Sequence, residues 1–227
     1  MTAPEQLPLD FGHRTAMGAE DFLVAPSNAQ AVAWLDRWPN WPGPALIVHG
    51  PAGCGKTHLT QVWSARSHAP RVVPAELDRA MLPELLAPTG TLAVDDADSA
   101  AGNPEAERAL FHLYNLAREN GGHLLLTGAL APVQWPVVLP DLRSRLLAAL
   151  SAEVGMPDDT LLAAILIKLF ADRQLRVGAD VVEFLVARME RSFDTARRLV
   201  ADLDAAALAA HRRITVPLAR NILGRTV

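Results

Sequence analysis

Eight consecutive residues, Gly50-Pro51-Ala52-Gly53-Cys54-Gly55-Lys56-Thr57, have the types and spacing of a phosphate-binding loop, GxxxxGK[ST]. Glycines let successive backbone N–H groups turn inward around phosphate oxygens, and a helix beginning at the lysine adds its positive end. Lys56 would reach the β- and γ-phosphates, and the Thr57 hydroxyl would bind Mg²⁺. His58 follows directly and is counted with the nucleotide-binding stretch. The lysine stands out because the chain has only two, Lys56 and Lys168, among 21 basic residues. A compact ammonium on a flexible stem fits among phosphates where a guanidinium fork does not. Downstream, Leu92-Ala93-Val94-Asp95-Asp96 is an apolar run ending in acids, the Walker B arrangement. Asp95 would hold the Mg²⁺ through water, and Asp96 would orient or deprotonate an attacking water. A second apolar run, Leu124-Leu125-Leu126, ends in Thr127. Its hydroxyl has two readings, a γ-phosphate sensor or a strand-end cap. Arg143 and Arg145, two apart near a helix end, read from the residues alone as a solvated face.

These groups need a scaffold, and the chain supplies one. Strand-like runs at Ala45–His49, Arg71–Pro74, Thr91–Val94, His123–Thr127 and, more weakly, Ala148–Val154 alternate with helical patterns at 28–38, 56–67, 79–87, 104–120 and 140–147. Such alternation predicts an α/β fold with a parallel five-stranded sheet covered on both faces. After Gly155-Met156-Pro157 only helical patterns remain, starting at Asp158, Ala179, Phe193 and after Pro217. The expected division is a flexible arm at 1–15, an α/β nucleotide-binding domain at 16–155 and a small all-helical lid at 156–227.

Composition narrows the setting. The 227 residues are 50% hydrophobic and 20% charged, an ordinary globular balance. No run of 18 apolar residues exists and the N-terminus lacks a basic, then apolar, leader, so neither a membrane span nor a secretory signal is expected. One cysteine makes no internal disulfide, in keeping with a reducing cytoplasm. A formal charge of -4 argues against DNA binding by charge alone, and the arginines of 188–227 read as spread helix faces, so direct DNA binding is not expected. The histidines show no ligand spacing, and no metal beyond Mg²⁺ is expected.

The order of these elements resembles the AAA+ P-loop ATPases: phosphate loop, Asp-Asp Walker B, a hydroxyl at the next strand end, then Ser144-Arg145-Leu146 and a helical lid. Asp95-Asp96, the Leu-x-Ser-Arg box and Asp21-Phe22-Leu23-Val24 before Ser27-Asn28 are similar to the DnaA initiator clade. That likeness implies that Phe22 and Val24 enter the adenine pocket. DnaA carries a DNA-binding domain after its lid, and this chain stops at Val227. A DnaA-like core without that domain resembles the Hda family of regulatory inactivators of DnaA. The arm agrees, since Gln6-Leu7-Pro8-Leu9-Asp10-Phe11 is similar to the QxxLxF sliding-clamp-binding peptide at the start of Hda proteins. Gln6 can bond backbone at a pocket rim while Leu9 and Phe11 bury apolar surface, about 1.5–3 kcal/mol each if enclosed.

The resemblance implies ADP or ATP with Mg²⁺ as cofactors, the sliding clamp and DnaA as partners, and Arg145 as an arginine finger acting in trans on DnaA-bound ATP. A homodimer switched by nucleotide stays open. One departure is that Asp194 stands where the clade's lid carries its sensor 2 arginine, with Arg197 or Arg198 one turn on. An acid facing phosphates disfavours ATP over ADP, so ADP is expected to bind at least as well and own-site hydrolysis to be weak. Two other functions remain in play: a helicase loader or replication motor running its own ATP cycle, and a clamp-tethered adaptor whose nucleotide stiffens the fold.

Overall fold

A computed structural model describes residues 23–210 and 212–226. The arm residues Gln6, Leu7, Leu9, Asp10 and Phe11, and Phe22, lie outside them.

Five strands form one parallel sheet: β1 (Ala45–His49), β2 (Arg71–Val72), β3 (Thr91–Val94), β4 (His123–Gly128) and β5 (Leu150–Glu153), in the order β2-β3-β4-β1-β5. The three central strands are apolar and buried along nearly their whole length, as strands covered on both faces must be. Side chains alternate across the sheet with period two. Ile47, Leu92, Val94, Leu124 and Leu126 therefore join one cluster with Leu110 and Leu113 of α4 (Pro104–Glu119). Leu46, Val48, Ala93 and Leu125 join the other, with Val32 and Leu35 of α1 (Ala29–Asp36) and Leu59 and Trp63 of α2 (Lys56–Ser67). Each fully enclosed leucine or isoleucine contributes about 1.5–3 kcal/mol. The short α3 (Leu82–Leu86) and α5 (Pro140–Ala148) close the first face.

Boundaries follow local chemistry. α4 starts where Pro104 takes the first helical position and the Asn103 side chain accepts the Glu105 and Ala106 N–H groups at 3.1 and 3.3 Å. β2 is shorter than Arg71–Pro74 because Pro74 has no N–H for the ladder and opens a 3₁₀ turn, Pro74–Glu76. α3 begins at Leu82 rather than near 79, with Pro83 in its first turn.

The C-terminal helices α6 (Asp159–Asp172), α7 (Ala179–Val186), α8 (Phe193–Ala209) and α9 (Val216–Thr226) enclose a core of their own, including Leu162, Leu166, Phe170, Leu185, Leu199 and Leu203. Asp158 caps α6 through Leu161 N–H at 2.8 Å, and Ser192 caps α8 through Thr195 N–H at 3.0 Å. Between the two cores, Gly155 N–H donates to Ser27 C=O at 2.8 Å. Among the described residues, no helix is long and apolar enough to cross a membrane.

Candidate functional site

Ligands of open parallel sheets gather at the carboxyl ends of the strands, and this sheet carries its polar row there. β3 and β4 pair Val94 with Leu126, so the next residues, Asp95 and Thr127, stand side by side. β2 and β3 pair Arg71 with Ala93, so Arg71 and Asp95 share a face on the diagonal, within reach of a long side chain. The contacts follow from that register. Arg71 Nη2 donates to Asp95 Oδ2 at 2.6 Å, Thr127 Oγ1 donates to Asp95 Oδ1 at 3.3 Å, and Asp96 N–H donates to Thr127 Oγ1 at 3.0 Å. Asp96 is exposed and sits in the left-handed region (φ 51°), a conformation aspartate tolerates better than most residues. On β1 and β5 the row continues with His49 beside Glu153. Burial, assisted by Lys56 and opposed by Glu153, holds His49 below its ordinary value, so the imidazole is neutral at pH 7.

The phosphate loop joins β1 to α2, which starts at Lys56. Lys56 Nζ donates to the carbonyls of Gly50 and Pro51 at 2.7 and 2.9 Å. Gly53 (φ 75°) and Gly55 (φ 104°) need the left-handed region, and they also let the lid approach. A Cβ on Gly53 would stand 2.6 Å from the Cβ of Ser192, and one on Gly55 would stand 3.1 Å from the Phe193 ring. Phe193 N–H donates to Gly53 C=O at 3.0 Å. The first residues of α8 are thus docked on the loop. Ala52 and Thr57 are exposed, whereas Cys54 is buried and burial pushes its thiol up, against smaller effects of Lys56 and two backbone N–H groups. A thiol so placed is a small filler, not a reactive thiolate.

Beside the loop lies a cleft of about 190 Å³ between the two cores, lined by Leu23, His58, Leu161, Ile165, Phe193 and Arg197, among others. Val24 turns the other way and packs against the α1–α2 side of the sheet. Asn28 fixes this turn: its Oδ1 accepts Ala25 N–H at 2.8 Å and its Nδ2 donates to Leu23 C=O at 3.0 Å. The three residues at the expected sensor 2 position are placed differently, and Arg197 is the one in the cleft lining. Arg197 lies four residues after Phe193 and shares its helix face; Asp194 is exposed, and Arg198 turns back to Thr195 Oγ1 at 3.2 Å.

Arg145 lies elsewhere. It is half-buried on α5 with its guanidinium carbon 5.3 Å from the Phe111 ring centroid and 5.6 Å from that of Tyr114, both on α4. Its Nε is buried and bonded to nothing among the described residues. Arg143 and Ser144 are exposed. The approach to α5 is fixed by Glu107, 1% exposed, whose carboxylate accepts N–H bonds from Gly102 (2.8 Å), Val138 (2.9 Å) and Leu139 (2.7 Å). Burial pushes this carboxyl up, yet the three donors together outweigh it and hold the group below the ordinary carboxylate value.

Of the residues expected to do chemistry, then, the loop and the Asp95–Thr127 pair share the sheet's carboxyl edge, while Arg145 stacks on the α4 side. Leu23, Phe193, Arg71 and Glu107 escaped the sequence reading. Only Leu23 had a signal, through its neighbours in the Asp21–Val24 motif.

A family profile described as "Hda, lid domain" matches residues 159–223. An uncharacterised protein of Haemophilus influenzae is 30% identical over 189 residues, spanning 79% of this chain and 81% of its own. Domain III of the Thermotoga maritima replication initiation protein DnaA superposes with a TM-score of 0.79 at 18% identity, covering 90% of this chain and 94% of that one. AMPPCP-bound DnaA from Aquifex aeolicus gives 0.69 at 17% identity over 81% and 63%. The RuvB Holliday junction branch migration motor of T. maritima gives 0.62 at 17% over 80% and 61%. The fold is that of the AAA+ proteins, a parallel five-stranded sheet carrying a helical lid.

Proposed function

Because the chain belongs to the Hda-like family of DnaA-clade AAA+ proteins, DnaA-related replication regulators, we propose that it stimulates hydrolysis of DnaA-bound ATP while tethered to the DNA-loaded sliding clamp. Its own site would hold ADP or ATP: phosphates on the backbone of 50–55 and on Lys56, the base in the cleft beside Leu23, His58 and Phe193. The donor set at the phosphate end, the Thr57 hydroxyl and the Asp95 carboxylate, consists of the hard oxygens that Mg²⁺ takes. These are the residues that would hold it, Asp95 being already paired with Arg71 at 2.6 Å, and the ion would supply charge neutralisation at the phosphates.

The observation that carries the activator reading is the position of Arg145. It stacks on Phe111 and Tyr114 and does not line the cleft beside His58. An arginine so disposed is available to a neighbouring subunit. Supplied in trans, a guanidinium that offsets charge on the transferring phosphoryl group is worth roughly 10³–10⁵ in rate. The clamp arm, residues 6–11, supports the tether through its apolar anchors Leu9 and Phe11 flanked by Gln6, and a tether raises local concentration without new contacts at the finger.

The test mixes ATP-loaded DnaA, clamp on DNA and this protein. Arg145→Ala should abolish stimulated hydrolysis with nucleotide binding and melting temperature unchanged, and Gln6→Ala with Leu9→Ala should abolish clamp binding. Stimulation by the Arg145→Ala variant equal to the parent's would refute the finger. Turnover of ATP by the protein alone would instead favour a motor with its own cycle.

A further inference from the structure

We infer that Arg71 holds the Walker B carboxylate of Asp95 and so uncouples nucleotide binding at this site from Mg²⁺. The inference rests on the phosphate-loop reading above and extends it to the ion dependence of that site.

Asp95 has two carboxylate oxygens, and both are engaged: Oδ2 by Arg71 Nη2 at 2.6 Å, Oδ1 by the Thr127 hydroxyl at 3.3 Å. The ion pair is short, its aspartate side chain is 15% exposed and its arginine 32%, so water screens it only in part. It is built into the sheet rather than formed by two wandering surface chains. Arg71 is held by the β2–β3 ladder, where it pairs with Ala93 and where Asp95 N–H donates to Val72 C=O at 2.8 Å. Asp95 is held from the other side by the Thr127 tie. A guanidinium in this place does two things to a cation. It takes one acceptor site on Oδ2, in competition with the water shell of a hydrated Mg²⁺, and it sets a fixed positive charge beside the ion's position. Its planar fork is weakly hydrated and always charged, so it does not leave by losing a proton. Mg²⁺, by contrast, gives up its water reluctantly and depends on one or two carboxylates plus phosphate oxygens. With the nearest carboxylate already neutralised, phosphate binding falls to the loop N–H groups and Lys56.

Among the described residues no cluster of three or more His, Cys, Asp or Glu is placed to hold a metal. Arg71 thus acts through Asp95 as a positioning residue.

The experiment is calorimetric titration of ADP into the full chain, in excess Mg²⁺ and in EDTA, for the parent, Arg71→Ala, Arg71→Gln and Arg71→Ala combined with Asp95→Asn. A Mn²⁺ paramagnetic resonance titration in the presence of ADP reads the ion directly. The parent should bind ADP with nearly the same Kd in both media. Both Arg71 variants should gain about tenfold in Mg²⁺ dependence, the order expected when a unit positive charge beside a divalent ion is removed at a partly exposed site. They should also gain a bound-Mn²⁺ signal, and the added Asp95→Asn change should remove both gains. Equal Mg²⁺ dependence in parent and variants overturns this inference while the phosphate-loop reading stands. So does a gain that survives Asp95→Asn, or, should the Arg71 variants fail to fold, tight Mn²⁺ binding by the parent. No ADP binding by the parent in either medium overturns the phosphate-loop reading and this inference with it.

Discussion

Replacing Glu107 with glutamine removes one acceptor from a buried group whose every bond goes to backbone. The carboxylate ties Gly102 to the Val138–Leu139 segment that leads into α5, with four N···O distances of 2.7 to 3.1 Å. Glutamine keeps one carbonyl oxygen, enough for Gly102 and Val138, and sets an NH₂ group against the Leu139 N–H. A hydrogen bond to a charged acceptor contributes about 1.5–3 kcal/mol, and losing it here leaves two donors facing each other, so we expect a loss of about 3 kcal/mol. For a chain of this size that corresponds to a fall in Tm of roughly 6–12 °C. The pH dependence gives a second reading. The native carboxyl titrates below its ordinary value, so its stabilising contribution is complete above the ordinary carboxylate range and is lost as pH falls through the lowered native value. Glu107→Gln should flatten that acid limb. The assay is thermal and urea unfolding at pH 7 and across the acid range. A Tm within 2 °C of the parent, or an unchanged acid limb, would refute the assignment of Glu107 as the clamp on α5.

Gly53→Ala should destabilise by about 1–3 kcal/mol through the strained φ of 75° and should also loosen the lid, because its Cβ collides with Ser192; amide exchange at Phe193 and Thr195 would rise, and parent-like protection there contradicts the docked lid. Cys54 should resist a thiol reagent at pH 7 until urea unfolds the chain, since burial raises its pKa; labelling of the folded protein at the rate of a free thiol counts against this. His123 lies 5.4 Å from the Trp41 ring and 6.4 Å from that of Trp38. Burial holds its pKa below 6.5 despite the Pro39 carbonyl. The unfolded chain therefore takes the proton first, and stability should fall as pH drops below about 6.5. His123→Gln should remove that part of the slope, with tryptophan fluorescence as the probe, and a slope equal to the parent's would exclude the residue.

What could be read from the chain depended on sequence distance. The phosphate loop is eight contiguous residues, and its flanks, a buried run before and a helix after, lie within one turn of it; β1 and α2 stand where the pattern put them. Contacts that span the fold were hidden. Arg71 and Asp95 are 24 residues apart, and Glu107 and Val138 are 31 apart. No local pattern says that two strands pair with a given register, and a shift of one residue would have turned Arg71 to the opposite face. The sensor 2 position was blurred for a subtler reason. Asp194, Arg197 and Arg198 are exposed residues within a turn and a half of α8, and it is the packing of that helix, through its buried face and the Phe193 N–H bond to Gly53 C=O, that puts Arg197 in the cleft lining.

The two arginines with the clearest settings are held in opposite ways, and the difference bears on the proposed activity. Arg71 meets a carboxylate at 2.6 Å, and the two charges largely cancel for anything farther off. Arg145 meets ring faces at 5.3 and 5.6 Å and no carboxylate of the described residues. Aromatic faces orient a guanidinium without neutralising it, and the Glu107 clamp fixes the helix that carries it. A finger that must offset charge on another molecule's phosphates needs its full positive charge and little freedom to wander. Aromatic stacking supplies both, whereas a salt bridge would have to be broken before the finger could act. On this argument, placing an acid within reach of Arg145, for example by Ala148→Glu one turn on along α5, should lower stimulation of the partner's hydrolysis while leaving melting temperature near the parent's. Unchanged stimulation in that variant would mean that the charge of Arg145 is not what the partner uses.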